Sequence, residues 1–223
     1  MALGASSMLS RYGRRAAVRR AALGFGLLLL ARPAWAAPRK LLILGDSITA
    51  GYGLAQSDSF PVQLQAVLRA AGQDVTVIAA GVSGDTTAGG KSRLDWALAD
   101  APDAVIVALG GNDGLRGVPP AESLNNLRDI LDRLQAKRLP TMLAGMLAPP
   151  NLGADYGRDF AATFQTLATS HPEVVFYPFL LEGVAGDPAL NQADGIHPNP
   201  AGAALMARRM LPAVQQLLSK VQA

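Results

Sequence analysis

Apolar and polar positions along this chain alternate between two rhythms. Leu41, Leu42, Ile43 and Leu44 form an unbroken apolar run that stops at Gly45, the pattern of a strand buried on both faces. Residues 59–71 then place Phe60, Leu64, Val67 and Leu68 at near-helical spacing, and Gly72 ends the segment. The alternation continues to the C-terminus. Strands are predicted over 75–78, 104–109, 141–146 and 174–179, the last interrupted by Pro178. Helices are predicted over 87–98, 119–137, 154–169 and 200–220, with a kink at Pro212 in the last.

Strands alternating with helices imply right-handed crossovers and a parallel sheet covered on both faces. The expected fold class is α/β: a single three-layer αβα domain, with about five parallel strands and flavodoxin-like topology. Sheets of this kind place ligands at the carboxyl ends of their strands.

The first 36 residues follow another pattern. Arg11, Arg14, Arg15, Arg19 and Arg20 precede an apolar run over 21–31, and Ala34-Trp35-Ala36 follows. Basic, apolar, then small-x-small is the order of a secretory signal, with cleavage expected after Ala36. The apolar run is short for a bilayer span, and an uncleaved anchor is the alternative. The paired arginines leave a twin-arginine export route open. The expected organisation is a signal peptide over 1–36 and one domain over 37–223, in a periplasmic or secreted protein.

That division changes the reading of charge. The whole chain carries +3, but residues 1–36 hold six of its 20 basic side chains and none of its 17 acids. The remaining domain is therefore net negative and has no basic field for a polyanion, so nucleic acid is not an expected partner. The absence of cysteine excludes thiolate nucleophiles and disulfides. With only two histidines, neither a metal nor a cofactor is expected.

Candidate chemistry sits where the strands end. After the first strand comes Gly45-Asp46-Ser47, where Ser47 is either a nucleophile or merely part of a helix cap. After the second comes the turn Gly81-Val82-Ser83-Gly84-Asp85. Its backbone N–H groups can face an anion, although it lacks the lysine of a Walker loop and the spacing of G-x-G-x-x-G. After the third comes Gly110-Gly111-Asn112-Asp113-Gly114, whose Asn112 amide can donate to an oxyanion or serve a plain turn. Before the last helix, Asp194 precedes His197 by three residues. The acid can hold one ring nitrogen and leave the other as a base. His171 follows a helix with no acid just before it and is expected on an exposed loop.

These four blocks, in this order, resemble the SGNH (GDSL-type) hydrolase family over about residues 40–211. The fuller strings, including Gly110 through Gly117, look like its bacterial periplasmic thioesterase, lysophospholipase and arylesterase group. The resemblance implies a serine hydrolase of carboxylic esters or thioesters working through a covalent acyl-enzyme. It implies Ser47 as nucleophile, His197 as base and Asp194 as its orienting acid. It further implies an oxyanion hole from the Ser47 and Gly84 N–H groups and the Asn112 amide. The G-x-S-x-G elbow of α/β-hydrolases is absent, which makes Ser83 a poor rival to Ser47. Ala148, Pro149 and Leu152, after the fourth strand, are expected in an acyl-pocket wall, with Ala148 smaller than the pattern leads one to expect. The expected partner is a small acyl ester or thioester, with no stable membrane anchor after signal cleavage. Two other functions stay open: an O-acetyl esterase of carbohydrate or peptidoglycan on the same residues, and a catalytically silent binding domain.

Overall fold

The apolar run at Leu41 becomes an interior strand of the sheet. The structure is a computed structural model describing residues 37–222; the expected signal segment lies outside the described residues. In chain order its elements are β1 (Arg39–Gly45), α1 (Ser47–Ala50), α2 (Phe60–Ala70), β2 (Val75–Gly81), α3 (Thr87–Ser92), α4 (Leu94–Ala97) and β3 (Ala104–Ala108). There follow α5 (Gly111–Arg116), α6 (Pro120–Ala136), β4 (Thr141–Ala144), α7 (Ala154–Ser170), β5 (Val175–Tyr177) and α8 (Pro200–Ser219).

The five strands are parallel, in the order β2-β1-β3-β4-β5. The step from β1 to β2 runs one way across the sheet and every later step runs the other way. Right-handed crossovers therefore put the connecting helices on opposite faces. Helices α2 and α8 pack together on one face; α3, α4, α6 and α7 cover the other. Leu41 to Leu44 and Val105 to Val107 are wholly buried between these layers, as double-sided coverage requires. The order reverses between β1 and β3, where their loops diverge and open a crevice.

Several boundaries differ from the sequence reading. The helix expected over 87–98 is two short helices meeting at Arg93, whose φ of −106° and ψ of 9° leave the helical region. Helices α1 and α5 had no periodic signal. Strand β5 stops at Tyr177, before Pro178, which has no N–H to give a ladder. Helix α8 runs continuously with Pro212 inside it.

Two glycines set how closely the elements approach. A Cβ on Gly81 would stand 2.3 Å from the Ala50 backbone nitrogen, so α1 can press on the end of β2 only where no side chain intervenes. Gly110 adopts φ 116° at the N-cap of α5, a region that L side chains rarely enter.

Candidate active site

Ser47 opens α1 immediately beyond β1. The carboxylate of Asp46 caps this helix by accepting from the Ile48 N–H at 3.0 Å. Asp46 is buried at 2% exposure, and burial pushes its carboxyl up to about 6 against the pull of that bond.

Ser47 Oγ lies 2.8 Å from His197 Nε2, across 150 residues of sequence. On the other side of the ring, His197 Nδ1 lies 2.7 Å from Asp194 Oδ2. Asp194 Oδ1 accepts from the N–H groups of Ile196 and His197 at 2.9 and 3.0 Å, with Gly195 at φ 68° completing the turn. The His197 and Ile196 N–H groups hold the Asp194 carboxyl well down, at about 2. A carboxylate only accepts, so Nδ1 carries the ring proton and Nε2 is free to accept from the Ser47 hydroxyl. The Tyr52 ring covers one face of the imidazole, with centroids 4.6 Å apart and planes tilted by 38°.

The turn is itself anchored. His197 O accepts from Gln192 N at 2.7 Å, and Asn199 caps α8 by accepting from Gly202 N at 3.0 Å. Asp and His at this short spacing thus arrive on a rigid loop.

The other two expected donors lie beyond β2 and β3: Asn112 lines the cavity that contains Ser47, and Gly84 stands outside its lining. Among the described residues, the backbone N–H groups of Ser47 and Gly84 have no protein acceptor. Asn112 stands in the first turn of α5, and its Nδ2 donates to Asp85 O at 2.9 Å. An amide nitrogen has two protons, so one remains for a ligand.

Asp113, beside Asn112, is 1% exposed and accepts from Thr87 N at 2.8 Å, from the Thr87 hydroxyl and from the Ser123 hydroxyl at 3.0 Å. It ties α5 to the starts of α3 and α6. Nothing in the local sequence distinguishes this aspartate from an ordinary turn residue. Tyr52 was likewise invisible, because its partner His197 is remote in sequence.

A cavity of about 500 Å³ opens beside Ser47 and His197. Its wall is mainly apolar and includes Ile48, Leu115, Met146, Phe179, Leu181 and Ile196. Of the three expected wall residues, Ala148 and Pro149 line it. Leu152 does not: it closes a short 3-10 turn, with its Cδ2 3.8 Å from where a Cβ on Gly117 would stand. Ala148 lies against α5, its Cα 3.4 Å from where a Cβ on Gly114 would stand.

His171 departs from the sequence reading. It is not on an exposed loop but 5% exposed at the end of α7, with Nε2 3.0 Å from Asp132 Oδ1. That acid lies 39 residues upstream on α6, beyond the reach of a local search. Among the described residues, no group of three or more His, Asp or Glu side chains is placed to hold a metal ion, and no helix is long and apolar enough to cross a membrane.

Known proteins share both sequence and architecture with this chain. The esterase TesA of Pseudomonas aeruginosa is 40% identical over 184 residues, covering 82% of this chain and 91% of the relative. Thioesterase 1/protease 1/lysophospholipase L1 of Escherichia coli K12 is 39% identical over 184 residues, covering 80% and 86%. The solved structure of the psychrotrophic esterase EstA from Pseudoalteromonas sp., inhibited by monoethylphosphonate, superposes with a TM-score of 0.75 at 33% identity, covering 81% of this chain and 99% of that one. The sequence profile of the GDSL-like Lipase/Acylhydrolase family matches residues 43–205, and this chain, an ester hydrolase, belongs to that family.

Proposed function

We propose that Ser47, His197 and Asp194 act as a catalytic triad on acyl esters and thioesters. The observation that carries this is the unbroken relay from Ser47 Oγ through His197 to Asp194, at 2.8 and 2.7 Å, beside an apolar cavity. A serine hydroxyl is a weak nucleophile until a neighbouring base takes its proton. In the first step that proton passes to Nε2 while Oγ bonds to the acyl carbon. The carbonyl π pair moves onto oxygen, and the Ser47 N–H, Gly84 N–H and Asn112 Nδ2 meet the resulting oxyanion. Collapse expels the alkoxide or thiolate, which takes the proton from His197. Water then repeats the sequence on the acyl-enzyme, releasing the acid and restoring Ser47.

The mainly apolar wall suits an acyl chain better than a sugar. The names of the relatives, an esterase and a thioesterase/lysophospholipase, point the same way. The reading extends to export, with residues 1–36 as a removable leader, on the strength of the basic, apolar, small-x-small order. A substrate panel tests the substrate assignment: p-nitrophenyl esters of increasing chain length, an acyl thioester, a lysophospholipid and an acetylated sugar. The reading requires kcat/KM to favour acyl chains longer than acetyl and to vanish in Ser47→Ala. Preference for the acetylated sugar would move the protein to the O-acetyl esterases. N-terminal sequencing of the protein from its native host, with Ala37 as the expected first residue, tests the leader.

A further inference from the structure

At the break between α3 and α4 stands Arg93, whose side chain reaches the ends of two strands. The Arg93 side chain is largely buried, at 15% exposure, and its guanidinium divides three bonds among three segments. Nη2 donates to Gly45 O at 2.7 Å, at the end of β1 and two residues before Ser47. Nη1 donates to Ala80 O at 3.0 Å, at the end of β2 and four residues before Gly84. Nε donates to the Asp85 carboxylate at 2.5 Å. Asp85 in turn offers its backbone oxygen to Asn112 Nδ2. One planar cation is thus bonded to the strand that delivers the nucleophile and to the turn that delivers Gly84, and through Asp85 it reaches Asn112.

The arrangement suits arginine and no other side chain. Guanidinium holds several N–H donors in a rigid fork, whereas a lysine ammonium is a compact, strongly hydrated charge that cannot span three acceptors in one plane.

We propose that Arg93 is a positioning residue for the oxyanion hole, fixing the separation between the end of β1 and the Gly84–Asp85 turn. The inference rests on the assignment of Ser47, Gly84 and Asn112 above. Donors held at the right spacing act on the tetrahedral intermediate more than on bound substrate, so their loosening lowers kcat with little change in KM. Arg93→Ala is expected to reduce kcat by about 10²-fold, the scale of losing one oxyanion donor. Arg93→Lys, which keeps charge but not the fork, is expected to recover only a small part. Asp85→Asn, which keeps shape and cuts the charge-assisted link, is expected to lose about tenfold.

The experiment measures kcat, KM and Tm for these three variants, with and without millimolar guanidinium, well below denaturing concentration. Partial recovery of kcat in Arg93→Ala by guanidinium, and none by methylammonium, supports the proposal. A purely structural role predicts no such recovery. If Arg93→Ala does not fold, Arg93→Lys and Asp85→Asn decide: lowered kcat with KM within about threefold and Tm near wild type supports the role. Wild-type kcat in folded Arg93→Lys and Asp85→Asn would overturn it, as would parallel loss of kcat, KM and Tm. Ser47→Ala is the separate control. Activity retained there would overturn the site assignment itself, whatever the Arg93 variants do.

Discussion

Among the described residues there are two serine–histidine–aspartate relays, and one of them faces a cavity where a substrate could sit. In the first, Ser47 meets Nε2 of His197, whose Nδ1 meets Asp194. In the second the ring is reversed: Ser170 Oγ lies 3.0 Å from Nδ1 of His171, whose Nε2 meets Asp132. The bond lengths are comparable. Ser170, however, also reaches Leu167 O at 3.2 Å, and neither it nor His171 lines the cavity beside Ser47. The second relay joins α6 to the end of α7. The difference teaches that a hydrogen-bonded relay is not enough for a catalyst; on the proposed reading, open space and unpaired donors such as the Ser47 and Gly84 N–H groups distinguish the first from the second.

The comparison breaks most sharply at the two serines. Ser47→Ala should lower kcat by roughly 10⁶-fold, the scale seen when a nucleophile is removed from a serine hydrolase. Ser170→Ala should leave it unchanged. Steady-state hydrolysis of a chromogenic ester on both variants checks this, and comparable losses would erase the distinction drawn here.

The acids come next. Asp194→Asn should lower kcat by up to about 10⁴-fold, because the amide no longer enforces the Nδ1–H tautomer. The Asp194 carboxyl sits at about 2, so its charge is present in neutral and mildly acidic solution and is lost only as pH falls toward 2. Any acid limb of activity between pH 5 and 7 therefore does not arise from protonation of Asp194. A pH–rate profile that instead titrates with Asp194 in that range would contradict the turn geometry.

Asp46 supplies the contrast of a buried acid without a cationic partner. Its folded carboxyl, at about 6, keeps its proton at pH values where the unfolded one, near 3.8, has lost it. The folded state therefore binds the extra proton between about pH 4 and 6, and stability falls as pH rises through that window. At 1.36 kcal/mol per unit, a shift of about two units amounts to about 3 kcal/mol. Asp46→Asn should flatten this dependence while keeping an acceptor for Ile48 N–H. Denaturant unfolding of both proteins across pH 4 to 7 measures the difference, and identical slopes would exclude it.

The smallest effect belongs to the second relay. His171→Ala should cost about 1–2 kcal/mol of stability, by loss of a buried, hydrogen-bonded side chain, and leave kcat at the wild-type value. For a domain of this size that is a Tm lower by roughly 2–8 °C. Thermal unfolding and ester hydrolysis on one preparation test both halves of the statement.

The candidate site was more legible in the sequence than the structure that carries it. Asp194 and His197 are three residues apart and Ser47 follows a clear strand, but each block had a plain structural reading by itself, and only the four in order pointed to one site. Helix α5 was not legible because Gly110, Gly111 and Gly114 give it poor intrinsic propensity. What makes it helical is tertiary: Asp113 bonded to Thr87 and Ser123, and Phe160 packed within 3.5 Å of where a Cβ on Gly114 would stand. The Gly45 partner of Arg93 and the Asp132 partner of His171 share this property, lying 48 and 39 residues distant. The misplacement of Leu152 has a shorter range: a 3-10 turn over Pro150–Leu152 takes it off the wall two residues after the chain has lined it.

The sheet order also separates two kinds of evolutionary freedom. The residues proposed to react come from the loops after β1, β2 and β3 and from the turn before α8. Much of the cavity wall comes from the segments after β4 and β5, such as Met146, Pro149, Phe179 and Leu181. The reacting side is locked, since Gly81 leaves no room between β2 and α1 for even a methyl group. The wall side has a close approach of its own at Gly145, where a Cβ would stand 2.2 Å from the Pro178 backbone oxygen, and Met146 is buried, but Leu181 and Phe179 are only partly so. Selection, natural or in the laboratory, can therefore redraw what the enzyme accepts at positions such as Phe179 and Leu181, while the residues proposed to react keep their places on four other segments.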